Sequence, residues 1–315
     1  MKILLHDNYL SVRGTADAMY DYALYLKQLY SYECVITFNG NDEKNDPRII
    51  NKFKKEFVTV PYYSDFSEVD IIIKSQKIDL FYIIKAGDSD GKVSQIVKTC
   101  VHAVFPCSKQ QRHGDRYAYI SSWLSEYCSG NEYPYVPHML NLPTETDNYR
   151  DNLSIPKDAI VFGRYGGYDT FDLPIALNAV KRTVEKKSDV FFLFCNTPVF
   201  LIHPRVIFIN STASLNEKVK FINTCDAFLH GRYRGETFGL SILEFMSKGK
   251  PVFTYKLSEE QNHYRLLQEH GKYYTTEQEL VEKMLDFKPH HIDYSVLQLF
   301  NPNKVMSKFQ AVFIN

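Results

Sequence analysis

The chain has 315 residues, 44% hydrophobic and 23% charged, with 37 basic residues balancing 37 acidic ones for a formal net charge of zero. That length and composition supply ordinary buried cores and suit two domains of about 150 residues each, while the balanced charge, with no long basic run, leaves no electrostatic footprint for nucleic acid or anionic lipid. No apolar run approaches the roughly 18 residues that cross a membrane, and Met1-Lys2-Ile3-Leu4-Leu5-His6-Asp7 is too short for a signal peptide, so the expected location is cytoplasmic.

In chain order, strand-like and helix-like segments alternate: strand 2–5, helix 15–30, strand 33–38, helix 47–55, strand 57–60, helix 67–76 and strand 79–84. Strands at 98–105, 117–120 and 135–139 follow, with a helix at 122–128 between the last two. Such alternation predicts a parallel sheet wrapped by helices. A polar stretch at 142–152, containing Pro143, reads as a linker. A second alternation then runs through strand 159–164, helix 173–185, strands 190–195 and 205–209, helix 215–224, strand 227–230, helix 240–247 and strand 251–255. Residues 303–314 carry apolar positions at helical spacing, Val305, Met306, Phe309 and Val312, and are expected to close the molecule by packing across both domains. The expected fold is therefore α/β with two doubly wound halves, an N-terminal domain at 1–150 with 303–315 packing back on it, and a C-terminal domain at 151–302. In open sheets of this kind, ligands bind outside the carboxyl ends of the strands near the switch in strand order, and the cleft between two such halves is the expected site. The six cysteines have no C-x-x-C spacing, several lie in apolar runs, and they read as buried thiols.

The richest motif is Gly235-Glu236-Thr237-Phe238-Gly239-Leu240-Ser241-Ile242-Leu243-Glu244, followed by Lys248-Gly249-Lys250-Pro251-Val252. A strand, a glycine-containing loop and a helix start in that order aim free backbone N–H groups at Phe238, Gly239 and Leu240 into the loop, which makes an anion site. Glu244 lies one helical turn or more further on, roughly 7 to 8 Å along the axis. Its carboxylate is placed to accept ribose hydroxyls while Glu236 meets a second hydroxylated group. A plainer alternative pairs Glu244 with Lys248 on a solvated stripe, worth about 0.2 to 0.5 kcal/mol.

These residues resemble the retaining, family 4 type glycosyltransferases of the GT-B fold, through the two glutamates separated by seven residues and the Gly-x-Pro-Val strand entry. Supporting marks stand in the expected order: Arg13-Gly14-Thr15, Val101-His102-Ala103, Tyr135-Val136-Pro137-His138 and Phe162-Gly163-Arg164. The resemblance implies two Rossmann-like domains facing across a cleft and transfer of a sugar, with retention and without a metal, from a nucleotide-diphosphate sugar, UDP- or GDP-linked, to an acceptor hydroxyl on a glycan, lipid-linked or protein acceptor. No tightly bound cofactor is expected. Carried over by position, Glu236 contacts the donor sugar, Glu244 the ribose, and Phe238, Gly239 and Leu240 give backbone donors to the diphosphate or sugar. Arg164 neutralises phosphate charge as the leaving group departs. His102 lies near the transferred sugar, and Gly14 lets the first loop approach the diphosphate. For His102 the plain alternative is a strand-end histidine satisfied by backbone, and for Gly14 an ordinary loop glycine. The family's lysine shortly after the arginine is missing from Arg164-Tyr165-Gly166-Gly167-Tyr168-Asp169-Thr170-Phe171; Arg232 or Arg234 would supply the charge, or both are solvated loop arginines.

Two rival readings remain. Asp88-Ser89-Asp90 after an apolar strand fits a Mn²⁺ or Mg²⁺ site of a GT-A transferase, although Asp-Ser-Asp-Gly is also ordinary turn chemistry. The missing lysine fits a non-catalytic sugar-nucleotide or glycan-binding GT-B module. His290-His291-Ile292-Asp293 reads as a polar connector after Pro289.

Overall fold

Short apolar runs, each followed by a turn and an amphipathic segment, fold as parallel strands and covering helices in the computed structural model, which describes residues 1–315 and separates into two units. Unit 1 comprises Met1–Asn141 with Leu299–Asn315, and unit 2 comprises Leu142–Gln298.

Unit 1 contains β1 (Lys2–His6), α1 (Gly14–Tyr30), β2 (Glu33–Thr37), α2 (Pro47–Glu56), β3 (Val58–Thr59), α3 (Glu68–Gln76), β4 (Leu80–Lys85), β5 (Thr99–Ala103), β6 (Arg116–Tyr119) and α4 (Ser122–Ser129). Its parallel sheet has the order β3-β2-β1-β4-β5-β6, with Leu4 in register between Val35 and Phe81. Central strands buried on both faces need continuous apolar runs, and β4, Leu-Phe-Tyr-Ile-Ile-Lys, is buried throughout. Helix starts follow local chemistry: Asp46 accepts from Arg48 N at 2.8 Å ahead of Pro47, and Ser121 accepts from Leu124 N at 3.1 Å. α4 stops at Gly130, whose φ of +61° suits a left-handed cap.

The segment expected as a strand at 135–139 is irregular apart from one bridge, Tyr119↔Tyr135. Pro134 and Pro137 have no N–H to give a ladder, so pairing with β6 ends after Tyr119 N→Pro134 O and Val136 N→Tyr119 O, each at 2.9 Å.

Unit 2 contains β7 (Ile160–Tyr165), α5 (Pro174–Lys186), β8 (Val190–Cys195), β9 (Val206–Ile209), α6 (Leu215–Thr224), β10 (Ala227–His230), β11 (Gly235–Glu236), α7 (Leu240–Met246), β12 (Val252–Tyr255), β13 (Glu260–Gln261), α8 (Asn262–Leu267), β14 (Lys272–Tyr274) and α9 (Glu277–Leu285). The main sheet runs β14-β12-β10-β7-β8-β9, and β11 pairs separately with β13. Counted within each unit, both six-stranded sheets have the order 3-2-1-4-5-6, with the reversal between first and fourth strands. The stretch read as a linker at 142–152 folds onto unit 2: Tyr149 N donates to Thr224 Oγ1 at 2.8 Å, and Arg150 pairs with Asp226 at 2.8 Å.

The C-terminal segment, α10 (Pro302–Phe309) and a π-helical turn at Gln310–Ile314, belongs to unit 1. Phe309 and Phe313 pack on Tyr82 with centroids 5.2 and 5.4 Å apart, and Cys100 Sγ lies 3.2 Å from Phe313 O. Four cysteines are buried and two half-buried, all as free thiols. No helix is long and apolar enough to cross a membrane.

Gly163 in β7 lies so close to α6 that a Cβ there would overlap the Cys225 side chain. Gly163→Ala is therefore expected to cost about 1 to 3 kcal/mol through overpacking, with Cys225→Ala in the same chain recovering part of the loss. Chemical denaturation of the single and double variants checks this; an unshifted midpoint for Gly163→Ala would contradict the packing.

Candidate active site

In unit 2, β7 and β10 are neighbours at the reversal of strand order, and their carboxyl ends carry Arg164-Tyr165 and His230. Arg164 is 3% exposed. Its Nη1 donates to Asn196 O at 3.2 Å and Thr197 Oγ1 at 2.6 Å, and Nη2 donates to Gly167 O at 2.9 Å and Thr170 Oγ1 at 2.5 Å. These four acceptors are neutral oxygens from the loops after β7 and β8. Burial lowers the guanidinium pKa to about 10 against the opposing pull of Glu236, so the group stays cationic at neutral pH.

After β10 the chain turns through Gly231–Arg234 and enters β11. Gly235 has φ +86°, and a Cβ there would strike the Glu260 carbonyl and meet Ser258 Cβ at 2.7 Å; only glycine lets β11 lie against β13 here. This pairing fixes Glu236, whose Oε1 lies 3.2 Å from His230 Nε2 and whose Oε2 accepts from Arg232 Nη1 at 3.1 Å. His230 is itself held by Thr254 Oγ1 at 2.9 Å from Nδ1. Behind Glu236, the buried Glu260 lies 3.7 Å from Arg232 Nη2 and 2.7 Å from Arg234 Nε. Burial alone would raise the Glu236 pKa; the Arg232 charge, the His230 hydrogen bond and the His230 and His263 charges outweigh it and bring the carboxyl to about 2. Glu236 is thus a fixed anion.

Gly239, with φ +92°, is the N-cap of α7, and Phe238 is buried with its carbonyl accepting from Asn262 Nδ2 at 2.6 Å. A Cβ on Gly239 would sit 3.5 Å from the Glu236 Cβ, which puts the start of α7 beside that carboxylate. Further along α7, Glu244 is 4% exposed and accepts from Lys218 Nζ at 3.0 Å. The ammonium lies 5.6 Å from the Tyr165 ring centroid, so α6, α7 and the end of β7 meet there. The surface pair with Lys248 is replaced by this nearly buried one. Burying a carboxylate requires such a counter-charge.

Arg164, Glu236, Phe238, Gly239, Leu240 and Glu244 therefore all belong to unit 2, the first four at strand ends and in the loop before α7, the last two within that helix. His230, Lys218 and Glu260 join them without having been singled out by sequence. His230 ends an apolar strand, a position that could have flagged it; Lys218 pairs across 26 residues, which no local spacing shows.

Two expectations need correction. Arg232 and Arg234 bind the carboxylates of Glu236 and Glu260, so their charges hold the loop and are not spare cations for phosphate. His102 is the penultimate residue of β5 and is fully buried in unit 1, with Nδ1 2.7 Å from Tyr82 OH and Nε2 2.9 Å from Val136 O. Its ring packs 5.3 Å from Phe313, and burial lowers its pKa to about 4. A neutral histidine with both nitrogens engaged in the core has no atom to offer a sugar. Gly14, expected to let the first loop approach a diphosphate, is the first residue of α1. For the metal reading, Asp90 is paired with Lys85 and lies 3.7 Å from Lys92, and no group of three His, Cys, Asp or Glu side chains is placed to hold a metal.

Residues 199–287 match the family described as Glycosyl transferases group 1. The matched segment contains Lys218, His230, Glu236, the start of α7 and Glu244. No curated protein sequence matches the chain. Among solved structures, Anabaena Alr3699/HepE in complex with UDP-glucose is similar at a TM-score of 0.76 and 14% identity, over 99% of this chain and 98% of that one. A glycosyltransferase from Rickettsia africae is similar at 0.73 and 12%, over 99% and 97%. A putative UDP-N-acetylglucosamine 2-epimerase from Listeria monocytogenes is similar at 0.61 and 13%, over 100% and 96%. With the two parallel sheets, these similarities show the GT-B fold, and the GT-A alternative is set aside.

Because the folded Glu236 pKa of about 2 lies below its ordinary 4.5, the stability it contributes is complete above pH 4.5 and is lost as pH falls toward 2. Chemical denaturation at pH 7 and pH 3.5 should therefore show the deficit of Glu236→Gln relative to wild type shrinking at the lower pH. A deficit that does not change would mean that Glu236 is not held as an anion.

Proposed function

We propose that this protein is a nucleotide-sugar-dependent glycosyltransferase that moves a sugar from a nucleoside diphosphate, UDP or GDP, to an acceptor hydroxyl, with retention and without a metal. The observation that carries this reading is that Arg164 and His230 end the two strands at the switch point of one parallel sheet, with Glu236 held beside the start of α7 and Glu244 buried further along that helix. The match of this segment to group 1 glycosyltransferases supports it, as does the fold shared with a protein crystallised with UDP-glucose. Retention rests on the resemblance to family 4 type enzymes.

Each group then has a defined task. The ionised Glu236 accepts hydrogen bonds from the donor sugar hydroxyls, and its fixed charge needs no reorganisation when the sugar becomes oxocarbenium-like. Backbone N–H groups at Phe238, Gly239 and Leu240 face the diphosphate, and Glu244 accepts from the ribose while Lys218 balances its charge. Arg164 exchanges one of its neutral acceptors for a phosphate oxygen as negative charge grows on the leaving group. Preorganised donors of this kind are worth about 3 to 4 kcal/mol each, which supplies electrostatic stabilisation without a Lewis acid.

Glu236→Gln and Arg164→Ala should each lower sugar transfer, or donor hydrolysis with water as acceptor, by about a hundredfold while circular dichroism stays unchanged. Glu244→Ala should chiefly weaken nucleotide binding, by about tenfold, or 1.4 kcal/mol, in calorimetry. Near-normal turnover in both of the first two variants would sink the assignment, and tight nucleotide binding with no transfer by the wild type across an acceptor panel would make the protein a binding module.

A further inference from the structure

Strands β10 and β12 each break an apolar run with one buried polar residue, and the two fall on the same row of the sheet. β10 reads Ala-Phe-Leu-His and β12 reads Val-Phe-Thr-Tyr, with His230 in register with Thr254. Side chains paired in register leave the same face of a sheet, and both are nearly free of solvent, at 3% and 0% exposure. Thr254 Oγ1 lies 2.9 Å from His230 Nδ1 and has no other hydrogen-bond partner. On the opposite side of the ring, Nε2 lies 3.2 Å from Glu236 Oε1. From β14, Tyr274 OH donates to the His230 carbonyl at 2.9 Å. Two buried hydroxyls, one on β12 and one on β14, thus converge on one histidine.

Hydrogen counting fixes the direction of each bond. An ionised carboxylate only accepts, so the proton between His230 and Glu236 belongs to Nε2. The Thr254 hydroxyl carries one proton, and Nδ1 is its acceptor. A neutral ring with Nε2–H and a lone pair on Nδ1 satisfies both bonds, whereas a second ring proton on Nδ1 would leave the buried threonine proton without an acceptor. The other rings against His230 bring no charge near neutral pH: Phe228 lies at 6.2 Å and His263 at 5.3 Å between centroids, and burial lowers the His263 pKa to about 3. Packing alone does not call for this pair. Apolar residues of the same shape fill such a row without the cost of burying two polar groups, so the polar pair matters for where its bonds lead, from β12 through β10 to the carboxylate on β11.

We infer that Thr254 is a positioning residue for Glu236 that acts through His230: its hydroxyl donates to Nδ1, holds the ring as the Nε2–H tautomer, and so aims that N–H at Oε1 of the carboxylate. Arg232 holds Oε2 from the other side. With both oxygens anchored, the plane of the carboxylate is set before any ligand binds, and its remaining lone pairs keep one direction. They meet the donor sugar if unit 2 binds the donor as proposed above, and the purpose assigned to Thr254 rests on that reading. Fully buried behind the histidine, Thr254 is not itself a catalytic residue.

The test uses the full chain, with isotope-labelled histidine ring nitrogens read by NMR, and UDP-glucose as the donor probe with water as acceptor. Without ligand and at neutral pH, the His230 signals, identified by their loss in His230→Leu, should show the proton on Nε2 and a hydrogen-bonded Nδ1. Thr254→Val, which keeps the shape, should move the Nδ1 signal toward that of a nitrogen without a hydrogen bond, and Thr254→Ser should return it. In donor hydrolysis, Thr254→Val should lower kcat about tenfold and change KM by no more than about twofold, with Thr254→Ser recovering most of the loss. Because the effect passes through the ring, Thr254→Val should cost no more than about twofold in a His230→Leu background; His230→Phe serves in its place if His230→Leu does not fold. A proton on Nδ1, an Nδ1 signal unmoved by Thr254→Val, or the same loss of kcat in both backgrounds would overturn this role. A wild-type chain that neither binds UDP nor hydrolyses UDP-glucose would strike the donor reading, and the purpose assigned to Thr254 with it, while the ring signals still decide the hydrogen-bond chain.

Discussion

A carboxylate drawn out of bulk water must find counter-charge or give up its own, and the way Glu236 meets that demand organises unit 2. Arg232 and His230 hold its two oxygens, and Arg232 also reaches toward Glu260 on β13, the strand that β11 pairs with. One chain of hydrogen bonds and ion pairs therefore joins the end of β10, the turn after it and β13. Because the turn is fixed, the start of α7 is fixed too, with Asn262 holding the Phe238 carbonyl. Backbone N–H groups and an ionised carboxylate thus sit together before any ligand arrives, which is the preorganisation that electrostatic catalysis needs.

The same principle acts further along α7 and at the end of β7. Glu244 is nearly buried against Lys218, and Arg164 is nearly buried among neutral oxygens. The site therefore contains two compensated anions and one cation, Arg164, whose hydrogen bonds all go to neutral oxygens. That cation is the group best able to respond to a phosphate. The sequence lacks a second cation shortly after Arg164, and Arg232 and Arg234 are each engaged with the carboxylates of Glu236 and Glu260.

Much of this was legible in the sequence because parallel sheets write themselves as apolar runs, and β7 through β10 fall within a residue or two of their expected spans. The motif around Phe238 was legible for the same local reason: a glycine with positive φ and a helix start leave a short signature. What escaped was long-range. Lys218 finds Glu244 from another helix, and the short elements β13 and α8 that brace Glu236 have too few residues for a period to show. His102 carried two readings from its place at a strand, and packing chose the core, since Tyr82 and Val136 take both nitrogens. The strand expected after α4 failed for a simple chemical cause, two prolines in six residues from Pro134 to Met139.

The most direct test of the donor site is a crystal structure of the protein soaked with UDP-glucose. The diphosphate is expected within hydrogen-bond reach of the Phe238–Leu240 backbone and Arg164, the glucose against Glu236 and the ribose against Glu244. Nucleotide bound elsewhere, or bound with its sugar away from Glu236, would contradict the assignment of these two glutamates.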